Sequence, residues 1–510
     1  MRGTGVLRPP APFPHDPPGA GRPCRRPWNR AARWVAALAF AALPGAAQAG
    51  GFEQGEQGAR AVGRGGAYAV AAADPTALHF NPGKLATLRG TRLAYSHNLT
   101  FFDIRFDRQT LPDYWGDPYA GTEFPEERDG QRLFGLAPFL VVSSDFGLEN
   151  WGFALGVYGP SALGKHDFRP YGPTSFQLTE MNVIMAYYSA AVAWKFRDVF
   201  GIGVTLQYVD TPKMDYGLVV DATTADTLRP VPDDTSTQME TVLRLKDRTG
   251  FTALVGLWGR PHPRVELGVG GRVIPVFLSL RGPVDVDKPE LVSDDLRAQM
   301  DLTLPVQLRG GLRYIHPLRN RELFDVEVDV VWENWSVIDA YDVTFSGRIN
   351  GQEVAPLSIA KNWKDTVAVR IGGDVTAIPG HLSFRLGGGY ESAAVPKAYS
   401  HVDFPSFNRG TLALGATGGG RGVFLTVGYM HIFQERRSIT ELESKVYQAR
   451  PLAPCPDRCA GGVSGIPANA GVFSSRYDIL SVMLDVNFND LFAGVGKNRK
   501  KRRRKGTGPA

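Results

Sequence analysis

Nowhere in these 510 residues do about twenty consecutive apolar residues occur, the length an α-helix needs to cross a bilayer. A helical membrane protein is therefore excluded, and the mean hydropathy of −0.17 agrees with that. Cysteine is almost absent: there are three, and Cys24 belongs to the N-terminal leader, which leaves only Cys455 and Cys459. Such scarcity suits a protein of the cell envelope that avoids stray disulfides. The nine histidines show no metal-ligand spacing, and no G-x-S-x-G occurs. The glycine strings Gly268–Gly271 and Gly387–Gly389 lie inside alternating segments, where a phosphate-binding loop has no helix to open. Ser481 and His431 come nearest to a hydrolytic pair and read as incidental. No catalysis, cofactor or metal is expected.

The formal charge of +6 comes from the two ends of the chain. Residues 1–49 hold seven arginines and one acid, and residues 497–505 hold eight lysines and arginines. Without them, 42 of the 57 basic residues face 50 of the 51 acidic ones, a net charge of −8. The body of the protein is acidic, so the basic balance gives no reason to expect nucleic-acid binding.

The ends have their own logic. Arg25, Arg26, Arg30 and Arg33 precede the apolar run Trp34–Leu43, which is too short to span a membrane, and Ala47-Gln48-Ala49 follows. A charged region, a short apolar core and a small-x-small site form a secretory signal peptide over 1–49, with Gly50 as the mature N-terminus. The charged region is long, which allows a start codon downstream of Met1. At the other end, 491–510 reads as a basic, disordered periplasmic tail, because blocks of like charge repel; contact with anionic lipid or cell-wall polymer is the sharper reading.

What the sequence has in quantity is glycine, 59 residues, and aromatic side chains, 11%. Between them runs period-two alternation, the pattern of half-buried strands. Phe200, Ile202, Val204, Leu206 and Tyr208 share one face of a segment whose other face is Gly201, Gly203, Thr205 and Gln207. Around Leu323–Glu333, Phe324, Val326, Val328, Val330 and Trp332 alternate with Asp325, Glu327 and Asp329. Fourteen such segments begin near Thr91, Leu133, Trp151, Met181, Phe200, Thr249, Val265, Leu302, Leu323, Asp365, His381, Gly410, Val423 and Tyr477. Connections after even-numbered segments are short and those after odd-numbered ones long, among them 210–245, 281–300 and 339–362. That asymmetry belongs to outer-membrane barrels, with turns in the periplasm and loops outside. The expected fold is an all-β transmembrane barrel of about fourteen antiparallel strands spanning 90–490, in the outer membrane of a Gram-negative cell.

The inward faces of neighbouring strands carry opposite charges: Arg309 and Arg313 on the eighth, Asp325, Glu327 and Asp329 on the ninth, Arg370 and Asp374 on the tenth, Arg385 on the eleventh. Buried charges need partners, so an ion-pair network is expected in the lumen. The plainer reading is that it only fixes the wall; the functional one is a polar pathway or a site for an anionic head group.

Residues 50–89 do not alternate. They contain Gly51-Phe52, then Gly63-Arg-Gly-Gly-Ala-Tyr68, then Ala73-Asp-Pro-Thr-Ala77 leading into Asn81-Pro82-Gly83. Small residues ahead of the first strand suit a compact plug of short helices. This stretch resembles the N-terminal hatch of the FadL/TodX-like transporters of long-chain fatty acids and other hydrophobic compounds, with Gly83 where that family has Ala. The resemblance continues through Leu304-Pro305, Trp332-Glu-Asn-Trp-Ser336, Trp363-Lys-Asp365, Arg385-x-Gly-x-x-Tyr390 and Pro405-x-x-x-Arg409. It implies passive uptake of a hydrophobic ligand, most naturally a long-chain fatty acid, released sideways through a gap at a kinked third strand. Gly156, Gly159 and Pro160 are the kink candidates, against ordinary lumen-facing glycines, since glycine and proline mark bends and broken ladders. Uptake of aromatic hydrocarbons is the alternative, ahead of a polar-solute porin or a structural barrel. The partners expected are the hydrophobic ligand, outer-membrane lipid and lipopolysaccharide, and the barrel-assembly machinery, with the protein a monomer. Cys455 and Cys459, four apart in an oxidising location, are expected to form a local disulfide in the last long loop.

Overall fold

The computed structural model describes residues 57–110, 121, 123–160, 165–222, 235–318, 321–452 and 463–492. The leader, Gly51, Phe52, Cys455, Cys459 and all but two residues of the basic tail lie outside the described residues.

Fourteen antiparallel strands close into a barrel. They are β1 (Arg92–Arg108), β2 (Leu133–Ser144), β3 (Trp151–Tyr158), β4 (Glu180–Phe196), β5 (Phe200–Asp221) and β6 (Gln238–His262). Next come β7, in two pieces (Val265–Arg272 and Val276–Val286), and β8, also in two (Arg297–Leu304 and Gln307–Leu318). The rest are β9 (Arg321–Glu333), β10 (Thr366–Ile378), β11 (Leu382–Glu391), β12 (Arg409–Gly420), β13 (Val423–Gln434) and β14 (Gly471–Asn487). Each pairs with its sequence neighbours, and β1 closes on β14 in one unbroken register from Arg92↔Asn487 to Arg108↔Gly471. Pairing of β1 with β14 closes the sheet and removes its two free edges, which suits strands that cross hydrocarbon.

Alternation sets which face is which. On β9, Val326, Val328 and Val330 are exposed while Asp325, Glu327 and Asp329 are buried. The outward apolar band is edged with aromatics: Trp151, Trp194, Phe196 and Phe200 near one end, Phe101, Tyr188, Tyr208 and Phe251 toward the other. This is the girdled lipid face of an outer-membrane barrel. At the first end the turns are tight; between β12 and β13 only Arg421 and Gly422 intervene, with φ of 53° and 83°. Positive φ at both positions matches the right-handed twist of the flanking strands, hence the glycine.

The long connections differ from expectation. Of the stretch 210–245, residues up to Asp221 and from Gln238 onward are strand; of 281–300, residues to Val286 and from Arg297 are strand; and 339–362 contains strands Ala340–Ser346 and Leu357–Ala360. The wall thus continues well past the lipid band on the extracellular side, from β5 to β8. The last residues of β5, from Asp215 to Asp221, are buried on both faces, so the period-two signal that marks a one-sided strand disappears there.

Candidate functional site

Residues 57–88 fold inside the barrel as two short helices, α1 (Ala59–Gly63) and α2 (Ala77–Phe80), and a 3-10 turn at Pro82–Thr87. Helices of five and four residues are far below the length that is stable alone, so the barrel wall holds them. Nearly every side chain in this stretch is buried.

Two kinds of seat hold it. In the first, the wall supplies glycines. A Cβ added to Gly203 would lie 2.5 Å from the Pro82 carbonyl, and side chains at Gly256, Gly387 and Gly428 would strike Asn81, Arg64 and Ala59. The inward glycines are therefore gaps into which the plug backbone sinks. Asn81 locks the fit. Its carbonyl oxygen accepts the Gly83 N–H at 3.1 Å, and its amide donates to the carbonyls of Ala69 (3.1 Å) and of Leu257 on β6 (2.9 Å). Pro82 occupies the first turn, where no N–H is needed. Gly83 wedges against β5 and β6: a Cβ there would lie 2.7 Å from the Gly256 carbonyl and 3.0 Å from that of Gly201. The third motif position has no room for alanine in this barrel.

The second kind of seat is ionic. Arg64 lies 2.8 Å from Asp325, 3.0 Å from Glu327 and 2.7 Å from Asp374, with its side chain 1% exposed. Asp329 accepts the backbone N–H groups of Tyr68 (2.8 Å) and Ala69 (2.9 Å), and Glu327 those of Val70 (2.7 Å) and Ala71 (3.0 Å). The expected network exists in part: Arg313 meets Asp325 at 2.8 Å and Arg385 meets Asp374 at 3.1 Å. Arg370 instead meets Glu391 at 3.3 Å, and Arg309 reaches Gln307 and lies 5.0 Å over the ring of Phe80. Adjacent-strand logic alone could not reveal that the acids of β9 serve mainly the plug. Arg64, the residue it missed, stood in the Gly63-Arg-Gly-Gly motif.

Among the described residues, the ladder of the wall is interrupted at one strand. β3 pairs with β4 from Trp151↔Trp194 to Tyr158↔Tyr187 without interruption, and with β2 from Ser144↔Phe153 to Phe139↔Tyr158. Gly156 sits inside this regular ladder, with Leu78 of α2 3.6 Å from where its Cβ would be. Both ladders stop at Tyr158, just before Gly159 and Pro160. Beyond that point β2 continues down to Leu133 and β4 to Glu180, with no β3 partner between them among the described residues. Higher up, the gap is bridged again: Lys165–Asp167 pairs with β4, the Gly130 N–H donates to the Asp167 carbonyl at 2.6 Å, and His166 meets Asp129 at 2.6 Å. This window is a break in the pairing of the described residues, from Tyr187 to Asn182, about 16 Å along β4; residues 161–164 lie outside the described residues. Its inner sill is aromatic. Phe139 stacks on Tyr158 at 4.4 Å, Tyr187 lies edge-on at 5.5 Å, and His79 Nδ1 is 3.1 Å from the Tyr158 hydroxyl. Gln57 donates to the Gly159 carbonyl, so the start of the plug stands at the window.

A second buried ionic cluster lies in the extracellular cap. Asp403 accepts from Lys361 at 2.6 Å and from the Tyr216 hydroxyl at 3.2 Å, and His401 Nδ1 is 2.8 Å away. Burial alone raises the Asp403 carboxyl, but His401 and Lys361 outweigh it and hold it well below the usual carboxylate range. Burial keeps the His401 imidazole below its ordinary value; Asp403 raises it only in part, and Lys361 lowers it further. Ser481 is inward and buried, hydrogen-bonded to Asn98, whereas His431 is on the outward face against Asp478, so they make no pair.

The family described as outer membrane protein transport protein (OMPP1/FadL/TodX) matches residues 40–452. No protein of curated function matches the sequence. Among solved structures, a Pseudomonas aeruginosa FadL homologue superposes with a TM-score of 0.67 at 16% identity, covering 86% of this chain and all (100%) of that one. The P. putida toluene transporter TodX gives 0.58 at 13% identity over 85% and 98% of the two chains. The Ralstonia pickettii toluene transporter TbuX gives 0.56 at 14% over the same shares, 85% and 98%. At such identities the likeness speaks to the fold, a β-barrel, and the family match speaks to kinship: the chain belongs to the OMPP1/FadL/TodX family of outer-membrane β-barrel transporters of hydrophobic compounds.

Proposed function

We propose that this protein takes up long-chain fatty acids and releases them sideways into the outer membrane between β2 and β4. The observation that carries the reading is the ladder of β3 ending at Tyr158 beside a lumen occupied by residues 57–88. A charged, filled lumen is a poor path for an apolar molecule, whereas a window in the wall opens onto hydrocarbon. Each buried CH₂ is worth about 0.8 kcal/mol, so an acyl chain partitions into an apolar site without an energy source. The break falls where Gly159 and Pro160 leave the ladder, as proline cannot donate to it. Arg309 over Phe80 at 5.0 Å and Arg272 over Tyr187 at 5.7 Å bring cations to the aromatic sill, which favours a carboxylate head group. The sill itself, His79, Phe139, Tyr158 and Tyr187, suits a ring, and on that observation aromatic hydrocarbons are the second reading. The protein acts as a monomer, with lipid and the barrel-assembly machinery as its other partners.

The test is Gly159→Trp, which sets bulk at the break facing the Met185 carbonyl, 2.7 Å from the new Cβ. Uptake of labelled oleate by cells is expected to fall at least about tenfold, because an indole at the break occupies space that a tight site cannot yield. Normal insertion and heat-modifiable mobility show that the variant folds. Undiminished oleate uptake overturns lateral release here; loss of toluene entry with oleate untouched moves the substrate to the aromatic reading.

A further inference from the structure

The outward face of β1 changes chemistry abruptly. Leu93, Tyr95, Leu99 and Phe101 keep it apolar apart from His97; then come Asp103, Arg105 and Asp107. The change falls on the extracellular side, at the height where β14 passes from Val482 and Leu480 to Asp478 and Arg476. Here three arginines from three adjacent segments converge. Arg105 is the direct cross-strand partner of Arg128, and Asp103 that of Arg476. Like charges directly opposite one another are destabilising, so the Arg105–Arg128 pairing costs stability where it stands. Asp103 alone is shared by all three: Arg105 at 2.8 Å, Arg128 through its Nε, and Arg476 at 3.6 Å. Glu126 lies 3.4 Å from Arg105, and Asp478 is engaged by His431 and Tyr429, both at 2.6 Å.

A carboxylate offers about four acceptor positions and a guanidinium five donors, so three guanidinia far exceed what Asp103 can take. Arg476 is 63% exposed and the other two 34% each; Arg105 donates from all three nitrogens to Asp103 or Glu126, so the donors left for a ligand are chiefly those of Arg128 and Arg476. The three arginines outnumber the two acids they meet, Asp103 and Glu126; Asp478 on the same face is taken up by His431 and Tyr429. Guanidinium forks match phosphate oxygens in pairs. We propose that Arg105, Arg128 and Arg476 form a docking site for the phosphorylated head group of an outer-leaflet glycolipid. Its acyl chains lie along Phe101, Leu99 and Tyr95 below. The position decides for a lipid over a soluble anion: the cluster is on the lipid-facing side, directly above the apolar band. The site does not depend on what the barrel transports.

The test is retention of bisphosphoryl lipid A by the intact protein, measured by native mass spectrometry from detergent. Wild type is expected to hold it, and the triple variant Arg105→Gln, Arg128→Gln, Arg476→Gln to lose at least tenfold. Arg476→Gln alone, the most exposed position, is expected to weaken retention about threefold, and serves if the triple variant fails to fold. Asp103→Asn removes the competing carboxylate and is expected to hold lipid A at least as tightly. Dephosphorylated lipid A should be retained by wild type no better than lipid A is by the triple variant. Equal retention by wild type and folded triple variant, equal retention of the dephosphorylated lipid, or complete displacement of lipid A by millimolar inorganic phosphate would each overturn the proposal.

Discussion

Two buried ionic clusters hold the inner parts of this protein, and they differ in the cation. At the plug, Arg64 from the N-terminal segment is surrounded by Asp325, Glu327 and Asp374 of the wall. In the cap, Lys361 and His401 surround Asp403, all three from extracellular connections. Arginine keeps its charge at any pH a cell meets, while histidine changes its own near neutrality. The plug is thus tied to the barrel by a cation that cannot be titrated away, and the cap by a cluster that can.

The comparison can be broken most forcefully at the plug. Deleting 51–85 leaves the glycine and acid seats facing an open lumen, and single-channel conductance in a planar bilayer is expected to rise at least about tenfold, toward that of a water-filled barrel. Intact protein that already conducts as an open porin would sink the plug reading. Next comes Arg64→Ala, which leaves three acids without their shared cation; losing one partner of a buried ion pair costs about 3–5 kcal/mol. Hydrogen exchange across 57–88 should accelerate accordingly while β1 and β14 stay protected. If 57–88 keeps its wild-type protection, the glycine seats and Asn81 alone are enough to hold the plug.

The strands that face lipid were legible because hydrocarbon on one side and charge on the other impose period two, as on β9. Where β5 rises above the membrane both faces are covered, and Gly217-Leu-Val-Val-Asp221 carries no alternation to read. The lumen charges were legible as a set, but their partners were not: that Glu327 accepts the N–H groups of Val70 and Ala71 depends on backbone 256 or more residues away in sequence. The role of the inward glycines was not legible for a related reason. A strand glycine signals either a bend or a close approach, and only the position of the plug decides which; at Gly203 and Gly387 it is close approach. The break after Tyr158 was legible only as far as Gly159-Pro160 suggests a stop, and Gly156, equally suggestive in sequence, lies in a continuous ladder.

The smallest effect tests the cap. His401 sits buried between Asp403 and Lys361, with the Tyr216 hydroxyl also on Asp403, and burial keeps its imidazole below the ordinary value. In the unfolded loop the same histidine takes up a proton near pH 6.5 or so. The unfolded form therefore binds more protons than the folded one as pH falls below that point, and linkage makes the cap less stable on acidification, not more. Asp403, held well below the usual carboxylate range, loses its contribution only in strong acid, so between pH 7.5 and 5.5 the histidine acts alone. The expected loss is about 1 kcal/mol at pH 5.5, since one pH unit corresponds to 1.4 kcal/mol or so. Hydrogen exchange of 392–408, corrected for intrinsic rates, should be about fivefold faster at pH 5.5 than at 7.5 in wild type. His401→Gln, which removes the titration and keeps a polar side chain against Asp403, should abolish the difference. An equal acceleration in the variant assigns the pH response to another group and leaves the cap as permanent as the plug.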